Sequence, residues 1–156
     1  MALSNGQQAP NFSLYNSEKK LVSLEDLRGQ NVLLLFFPLA FSSVCTAELC
    51  SVSEDISKYS NLKAQVIGIS VDSLYVLNEF QKAQHINFKL LSDFNKNVSM
   101  EYDCLHETFS YGMKGVSKRA AFVIDKNGII VYIEVLDNPG LQPNFSAIKE
   151  VLNGLD

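Results

Sequence analysis

The distribution of apolar residues along the chain predicts an alternation of buried strands and amphipathic helices. Two strongly apolar runs, Val32–Phe37 and Val66–Val71, are typical of strands that are covered on both faces of a parallel sheet. Between these runs, and again after the second, apolar residues recur at helical spacing. The two helical stripes are Leu49, Val52, Ile56 and Tyr59, and then Leu74, Leu77 and Phe80. The predicted order is therefore strand, helix, strand, helix.

Shorter patterns predict further elements on either side of this unit. Near the start, Phe12–Tyr15 and Leu21–Ser23 form a hairpin pattern, and Leu24–Arg28 reads as a helical turn that ends at Gly29. The later predicted elements are a strand at Phe88–Leu91, a helix at Asn95–Tyr102, a hairpin of Ala121–Ile124 and Ile129–Val135, and a helix at Phe145–Leu152. The fold class expected is α/β, with a central mixed sheet flanked by helices and an N-terminal hairpin extension.

Length and composition predict a single folded domain over residues 1–156. The chain has 156 residues, of which 47% are apolar and 19% charged, and this is enough to bury one substantial core. No internal repeat, low-complexity segment or Pro/Gly/Ser-rich linker divides the sequence. We therefore expect one active site.

Charge and hydropathy argue against nucleic-acid and membrane partners. The net charge is −4, and no run of basic residues is longer than the pairs Lys19–Lys20 and Lys118–Arg119. The most apolar stretch, Val32–Phe41, is interrupted by Pro38 and is too short to cross a bilayer. Because the N-terminus lacks the basic-then-apolar pattern of a signal peptide, we expect a cytoplasmic location.

Cofactor and metal sites are not expected from the motifs present. His85 and His106 stand alone, without the spacing of a metal site, and the chain has no Gly-rich phosphate loop. The three cysteines, Cys45, Cys50 and Cys104, are an odd number, so a purely structural disulfide framework would leave one over. In a reducing compartment, cysteines favour a catalytic or redox role.

Cys45 is the strongest candidate nucleophile. It follows the first buried strand, where the chain turns into a helix, and ligand sites of α/β sheets gather at such strand ends. Unpaired backbone N–H groups and the helix dipole would favour its thiolate there. Cys45 also continues the apolar stripe, which puts its sulfur at the floor of a pocket and requires a counter-charge. The alternative is an inert cysteine that packs as a small apolar residue.

The surroundings of Cys45 resemble the active-site signature of the peroxiredoxin family. In that signature a proline is followed after three residues by threonine or serine, and after two more by the peroxide-reducing cysteine; Pro38, Ser42 and Cys45 match this spacing. Arg119 lies in a strand pattern like the one that carries the family's active-site arginine. The resemblance covers nearly the whole chain. The segment Cys45–Cys50 is most similar to one-domain bacterial branches that include the bacterioferritin comigratory proteins and the alkyl hydroperoxide reductase E type.

The resemblance implies a thioredoxin-like fold and a thiol-dependent peroxidase that needs no cofactor. The Cys45 thiolate would attack a peroxide and become a sulfenic acid. Arg119 would supply positive charge and hydrogen-bond donors, Ser42 would bind both the thiolate and the peroxide, and Pro38 would shield the sulfur from water. Glu48 either orients the arginine or complements the helix dipole.

The fate of the sulfenic acid is left open by the sequence. On an ideal helix, the Cα atoms of Cys45 and Cys50 are roughly 8.6 Å apart and about 140° around the axis, so a disulfide requires unwinding. The resemblance implies such unwinding and Cys50 as the resolving cysteine, whereas Cys50 could also be a semi-buried helix residue. Cys104 is a weaker candidate. If neither resolves the intermediate, an external thiol does so in a one-cysteine enzyme.

Two other functional classes compete with the peroxidase. A thioredoxin-type disulfide oxidoreductase is disfavoured because the chain has no Cys-x-x-Cys pair. A peroxide sensor would react with peroxide stoichiometrically, without turnover. For the peroxidase, the resemblance implies a thiol reductant of thioredoxin, glutaredoxin or mycoredoxin type, and a homodimer with Phe41 near its interface.

Overall fold

A central sheet with helices on both faces organises the computed structural model, which describes residues 3–155. In chain order the elements are β1 (Ser13–Tyr15), β2 (Leu21–Ser23), a 3-10 turn (Leu24–Leu27), β3 (Asn31–Phe36), α1 (Ser43–Glu54), α2 (Ile56–Asn61), β4 (Ala64–Ser70), α3 (Leu74–Gln84), β5 (Lys89–Ser92), α4 (Asn97–Glu101), β6 (Leu105–His106), a 3-10 turn (Ser110–Gly112), β7 (Val116–Ser117), β8 (Arg119–Ile124), β9 (Ile130–Leu136) and α5 (Phe145–Asn153).

The five-stranded sheet has the order β5-β4-β3-β8-β9 and is mixed. Strand β3 pairs in parallel with β4, and β4 pairs in parallel with β5, whereas β8 is antiparallel to both β3 and β9. All six residues of β3 and all six of β8 are buried, as expected for strands covered on both faces. The predicted α/β class and mixed sheet are confirmed, and so is the N-terminal hairpin of β1 and β2.

The helical stripe predicted between β3 and β4 is divided into two helices. Helix α1 ends at Glu54, and α2 begins at Ile56, because Asp55 departs from helical geometry with φ −94° and ψ 11°. The Asp55 carboxylate forms a salt bridge with Lys149 of α5, whose Nζ lies 2.9 Å from Oδ2. Tyr59 of α2 nevertheless remains buried, so the apolar stripe faces the core across the break.

Two further differences come from local backbone geometry. Helix α4 is shorter than predicted and starts at Asn97, because Lys96 adopts a left-handed φ of +68° that cannot continue a helix. The two-residue strands β6 and β7 were not predicted, since a pair of two residues carries too short a pattern to be recognised. Within residues 3–155, no helix has the length and apolarity that a membrane span requires.

The core consists of two apolar layers, one on each face of the sheet. Alternate residues of β3 divide between them: Leu33 and Leu35 point into one layer, and Leu34 and Phe36 into the other. Helices α1, α2, α3 and α5 cover the first layer, which contains Cys45. The hairpin and α4 cover the second, which contains Cys104. The sheet therefore separates these two cysteines.

Candidate active site

Cys45 lies in the first turn of α1, on the core side of the helix, and its side chain is fully buried. The chain reaches it from the carboxyl end of β3 through a loop that includes the buried residue Pro38. This loop is held by Asp72, which follows β4: its Oδ2 accepts a hydrogen bond of 2.7 Å from the Ala40 amide. Sequence reasoning missed Asp72, although its position just beyond a parallel strand was a usable signal.

Arg119 contacts Cys45 directly. Its Nη2 donates to the Cys45 sulfur at 3.2 Å, and its side chain is almost wholly buried. The register of the sheet explains this approach: Ala120 pairs with Phe36 at the carboxyl end of β3, so Arg119 begins β8 beside the loop that leads to Cys45. A buried guanidinium needs several partners, and the carbonyl oxygen of Pro139 supplies another, 2.9 Å from Nη2 and 3.3 Å from Nε. This contact could not be predicted from the sequence, because the acceptor is a backbone carbonyl and not a side chain.

Glu48 orients the arginine. Its Oε1 accepts a hydrogen bond of 2.7 Å from Arg119 Nη1, while Nη2 of the same guanidinium faces Cys45. Glu48 and Cys45 are three residues apart, so they lie on one side of α1. Each therefore contacts one of the two terminal nitrogens of the Arg119 guanidinium. Of the two roles that the sequence left open for Glu48, the structure shows the contact with Arg119.

Burial and mutual attraction set the electrostatics of the cluster that Arg119 forms with Glu48 and Cys45. Burial raises the pKa of Glu48 to about 7, although Arg119 lowers it through charge and hydrogen bonding. Burial alone would lower the pKa of Arg119, but attraction to Cys45 and Glu48 outweighs it and the pKa is raised. Within residues 3–155, the second carboxyl oxygen of Glu48 has no hydrogen-bond partner. The folded chain therefore holds a proton on Glu48 more tightly than the unfolded chain does.

Replacing Glu48 with glutamine is expected to flatten the pH dependence of stability. Between pH 4.5 and 7 the folded state keeps a proton that the unfolded state has lost, so stability falls as pH rises through this interval. The size of the pKa difference corresponds to roughly 3 kcal/mol. Urea denaturation at pH 5 and pH 8 measures the difference in the free energy of unfolding between the two pH values. In Glu48→Gln most of this difference should be absent. Glu54→Gln, at an exposed position of the same helix, is the control and should behave like the wild type.

Ser42 does not contact Cys45 through its hydroxyl in this structure, contrary to the role expected for it. The Ser42 Oγ donates to the Leu39 carbonyl at 2.7 Å, because the turn between them places that acceptor within reach. Ser42 is the N-cap residue of α1, yet its side chain does not cap the helix. Among the described residues, none accepts a hydrogen bond from the amides of Val44 and Cys45. These two N–H groups are free to bind an oxygen beside the sulfur.

Cys50 lies one and a half turns beyond Cys45 on α1 and faces the end of α3. Its sulfur is 3.7 Å from Gln84 Oε1 and 3.9 Å from the Gln84 carbonyl oxygen, and the side chain is partly buried. Burial, and secondarily the charge of Glu54, raise the pKa of this thiol. All three cysteines are free, and the intact helix keeps Cys45 and Cys50 apart.

Cys104 is separated from Cys45 by the sheet. It is fully buried in the second apolar layer, and burial followed by the charges of Asp93 and Asp103 raises the pKa of its thiol. The structure thus brings together Pro38, Ser42, Cys45 and Arg119 at one end of the sheet and leaves Cys104 outside that group. Within residues 3–155, His, Cys, Asp and Glu side chains form no group of three placed to hold a metal ion.

Comparison with known proteins gives a consistent family assignment. Residues 5–133 match the AhpC/TSA family model. The chain is 34% identical over 155 residues to a putative peroxiredoxin bcp of Haemophilus influenzae, covering 98% of each protein. It is 35% identical over 143 residues to the mitochondrial thioredoxin-dependent peroxide reductase of Rattus norvegicus, covering 85% of this chain. This match spans 54% of the rat protein, about half its length.

Two solved structures extend the likeness to three dimensions. Peroxidoxin BcpB of Mycobacterium tuberculosis superposes with a TM-score of 0.87 at 21% identity, over 99% of both chains. The reduced 2-Cys peroxiredoxin of Plasmodium vivax superposes with a TM-score of 0.82 at 29% identity, over 96% of this chain and 80% of the other. The fold expected from the resemblance is confirmed.

Proposed function

Since the chain belongs to the AhpC/TSA family of peroxiredoxins, we propose that it is a thiol-dependent peroxidase that reduces hydrogen peroxide and organic hydroperoxides at Cys45. The observation that carries this proposal is the 3.2 Å contact between the Cys45 sulfur and the buried Arg119 guanidinium. A permanent positive charge in a water-poor site stabilises the thiolate, which is the nucleophilic form of cysteine. The peroxide reductase and peroxiredoxin relatives support the same reaction.

The first step is an attack by the Cys45 thiolate on one oxygen of ROOH. An S–O bond forms and the O–O bond breaks, so that Cys45 becomes a sulfenic acid and RO⁻ leaves and takes up a proton as ROH. The free amides of Val44 and Cys45 and the guanidinium of Arg119 lie where negative charge builds on the departing oxygen. Rotation of the Ser42 side chain away from Leu39 lets its hydroxyl bind the peroxide. Pro38, buried in the preceding loop, limits access of water.

The second step is the formation of a Cys45–Cys50 disulfide after the first turns of α1 unwind. Cys50 lies in the same helix and is partly exposed, whereas Cys104 lies behind the sheet. A thiol reductant then restores both cysteines. We favour a thioredoxin over a glutaredoxin or a mycoredoxin, because the rat relative is named thioredoxin-dependent. A one-cysteine cycle, in which an external thiol attacks the sulfenic acid, is the competing pathway, and the intact α1 helix favours it.

We also propose that the protein acts in the cytoplasm as a homodimer with Phe41 at its interface. Phe41 has half of its side chain exposed beside the active-site loop and stacks edge-on against Phe80 with a ring separation of 5.0 Å. It also adopts a left-handed φ of +68°, which is unusual for a bulky residue. Analytical ultracentrifugation of the wild type and of Phe41→Ser tests this, with a monomeric variant expected.

The peroxidase is tested by coupling peroxide consumption to a panel of thiol reductants. Sustained consumption with a thioredoxin system is expected, and a single stoichiometric oxidation with every reductant would identify a peroxide sensor instead. The resolving thiol is tested by mass spectrometry after one equivalent of peroxide. We expect a Cys45–Cys50 disulfide in the wild type and in Cys104→Ser, and a trappable sulfenic acid in Cys50→Ser. A sulfenic acid alone in the wild type would establish the one-cysteine pathway.

A further inference from the structure

The two halves of α1 are attached to the rest of the fold by different kinds of contact. The N-terminal half is held through Cys45 and Glu48, which both bind Arg119. In the thiolate form on which the proposed function rests, the contact of Arg119 with Cys45 is a charge-assisted hydrogen bond, so it weakens when the sulfur becomes a neutral sulfenic acid. The attachment of this half is therefore sensitive to the oxidation state of Cys45.

The C-terminal half of α1 is attached by neutral hydrogen bonds to the turn between α3 and β5. The buried Ser53 hydroxyl accepts from the Asn87 amide at 2.8 Å and donates to the His85 carbonyl at 3.3 Å. Three residues earlier on the same face, the Cys50 thiol is directed to Gln84. Oxidation of Cys45 leaves these hydrogen-bonding groups unchanged, so the C-terminal half of α1 is expected to stay attached.

We propose that Ser53 is a positioning residue for the resolving step: it holds the C-terminal half of α1 in place, so that oxidation releases residues 43–49 and leaves Cys50 at a defined position. This inference rests on the proposed Cys45–Cys50 disulfide. In that step the Cys50 sulfur attacks the sulfenic sulfur, an S–S bond forms, the S–O bond breaks, and hydroxide leaves with the thiol proton as water. Holding one partner still raises the effective concentration of the two sulfurs.

The test separates peroxide reaction from disulfide formation by rapid mixing and acid quench, followed by mass spectrometry. In Ser53→Ala the rate of sulfenic acid formation should be unchanged, while disulfide formation slows roughly tenfold and dimedone trapping increases, as expected from the loss of the anchoring hydrogen bonds. Ser53→Thr keeps the hydroxyl and should restore the rate. Ser99→Ala is the matched control, because Ser99 is a buried serine of the second layer whose hydroxyl pairs with Ser117 at 2.7 Å.

A measurement on the wild type keeps the inference testable if Ser53→Ala does not fold. Hydrogen exchange of the oxidised protein should lose protection at the amides of residues 46–49 and retain it at residues 54 and 55, whose helical acceptors lie at or beyond Cys50. Loss of protection in both halves, or an unchanged resolution rate in a folded Ser53→Ala, would overturn the role of Ser53 while leaving the peroxidase intact. Absence of a Cys45–Cys50 bond in the wild type would overturn both this inference and the proposed resolving step.

Discussion

Replacing Cys45 with serine is expected to reduce peroxide consumption to the background rate. Serine is nearly isosteric with cysteine, but its hydroxyl is not ionised near neutral pH, and a neutral hydroxyl does not attack the O–O bond. The buried site offers no other thiol, because Cys50 faces Gln84 and Cys104 lies behind the sheet. Peroxide loss in the presence of a thiol reductant measures the effect for hydrogen peroxide and for an organic hydroperoxide.

Cys50→Ser and Cys104→Ser are the matched controls for this prediction. Each removes one thiol, but both retain Cys45 beside Arg119, so both should still react with one equivalent of peroxide. Far-ultraviolet circular dichroism confirms that all three variants are folded. Sustained peroxide consumption by Cys45→Ser would assign the chemistry to another thiol and would contradict the proposed function.

The sequence predicts most of the elements that position this site. The strands β3 and β4 show as apolar runs because both faces of the sheet are covered, and α1 shows as an apolar stripe because one face of the helix is buried. Cys45 could be located because it combines a strand end and a helix start with a spacing to Pro38 and Ser42 that resembles the family signature. These features depend on local sequence, which a single chain displays directly.

The parts that could not be predicted depend on contacts between distant segments. The break at Asp55 is accompanied by an ion pair with Lys149, which is 94 residues away in the sequence. Pro139 holds Arg119 through a backbone carbonyl, a group that every residue possesses. The Ser42 hydroxyl has two possible acceptors in the sequence, the Cys45 sulfur and the Leu39 carbonyl. The geometry of the turn determines that it donates to Leu39.

Two replacements of Arg119 are expected to distinguish the contribution of its charge from that of its shape. Arg119→Met removes both, and we expect the second-order rate of peroxide reaction to fall by about 10² to 10³, the range typical for the loss of a charge-stabilising donor. Arg119→Lys keeps the charge, but one ammonium group cannot reproduce the fork that contacts Cys45, Glu48 and the Pro139 carbonyl together. We expect a loss of about tenfold for lysine.

The stability of these variants distinguishes catalysis from folding. Arg119→Met leaves Glu48 as a buried carboxyl without its ion-pair partner, which costs about 3–5 kcal/mol when a charge is left unpaired. Because that cost requires an ionised Glu48, it should be smaller at pH 5 than at pH 8. Adding Glu48→Gln to Arg119→Met should recover much of the stability at pH 8 without recovering the peroxide rate. If the double variant regained both, Arg119 would act only by supporting the fold, and the role assigned to its contact with Cys45 would be wrong.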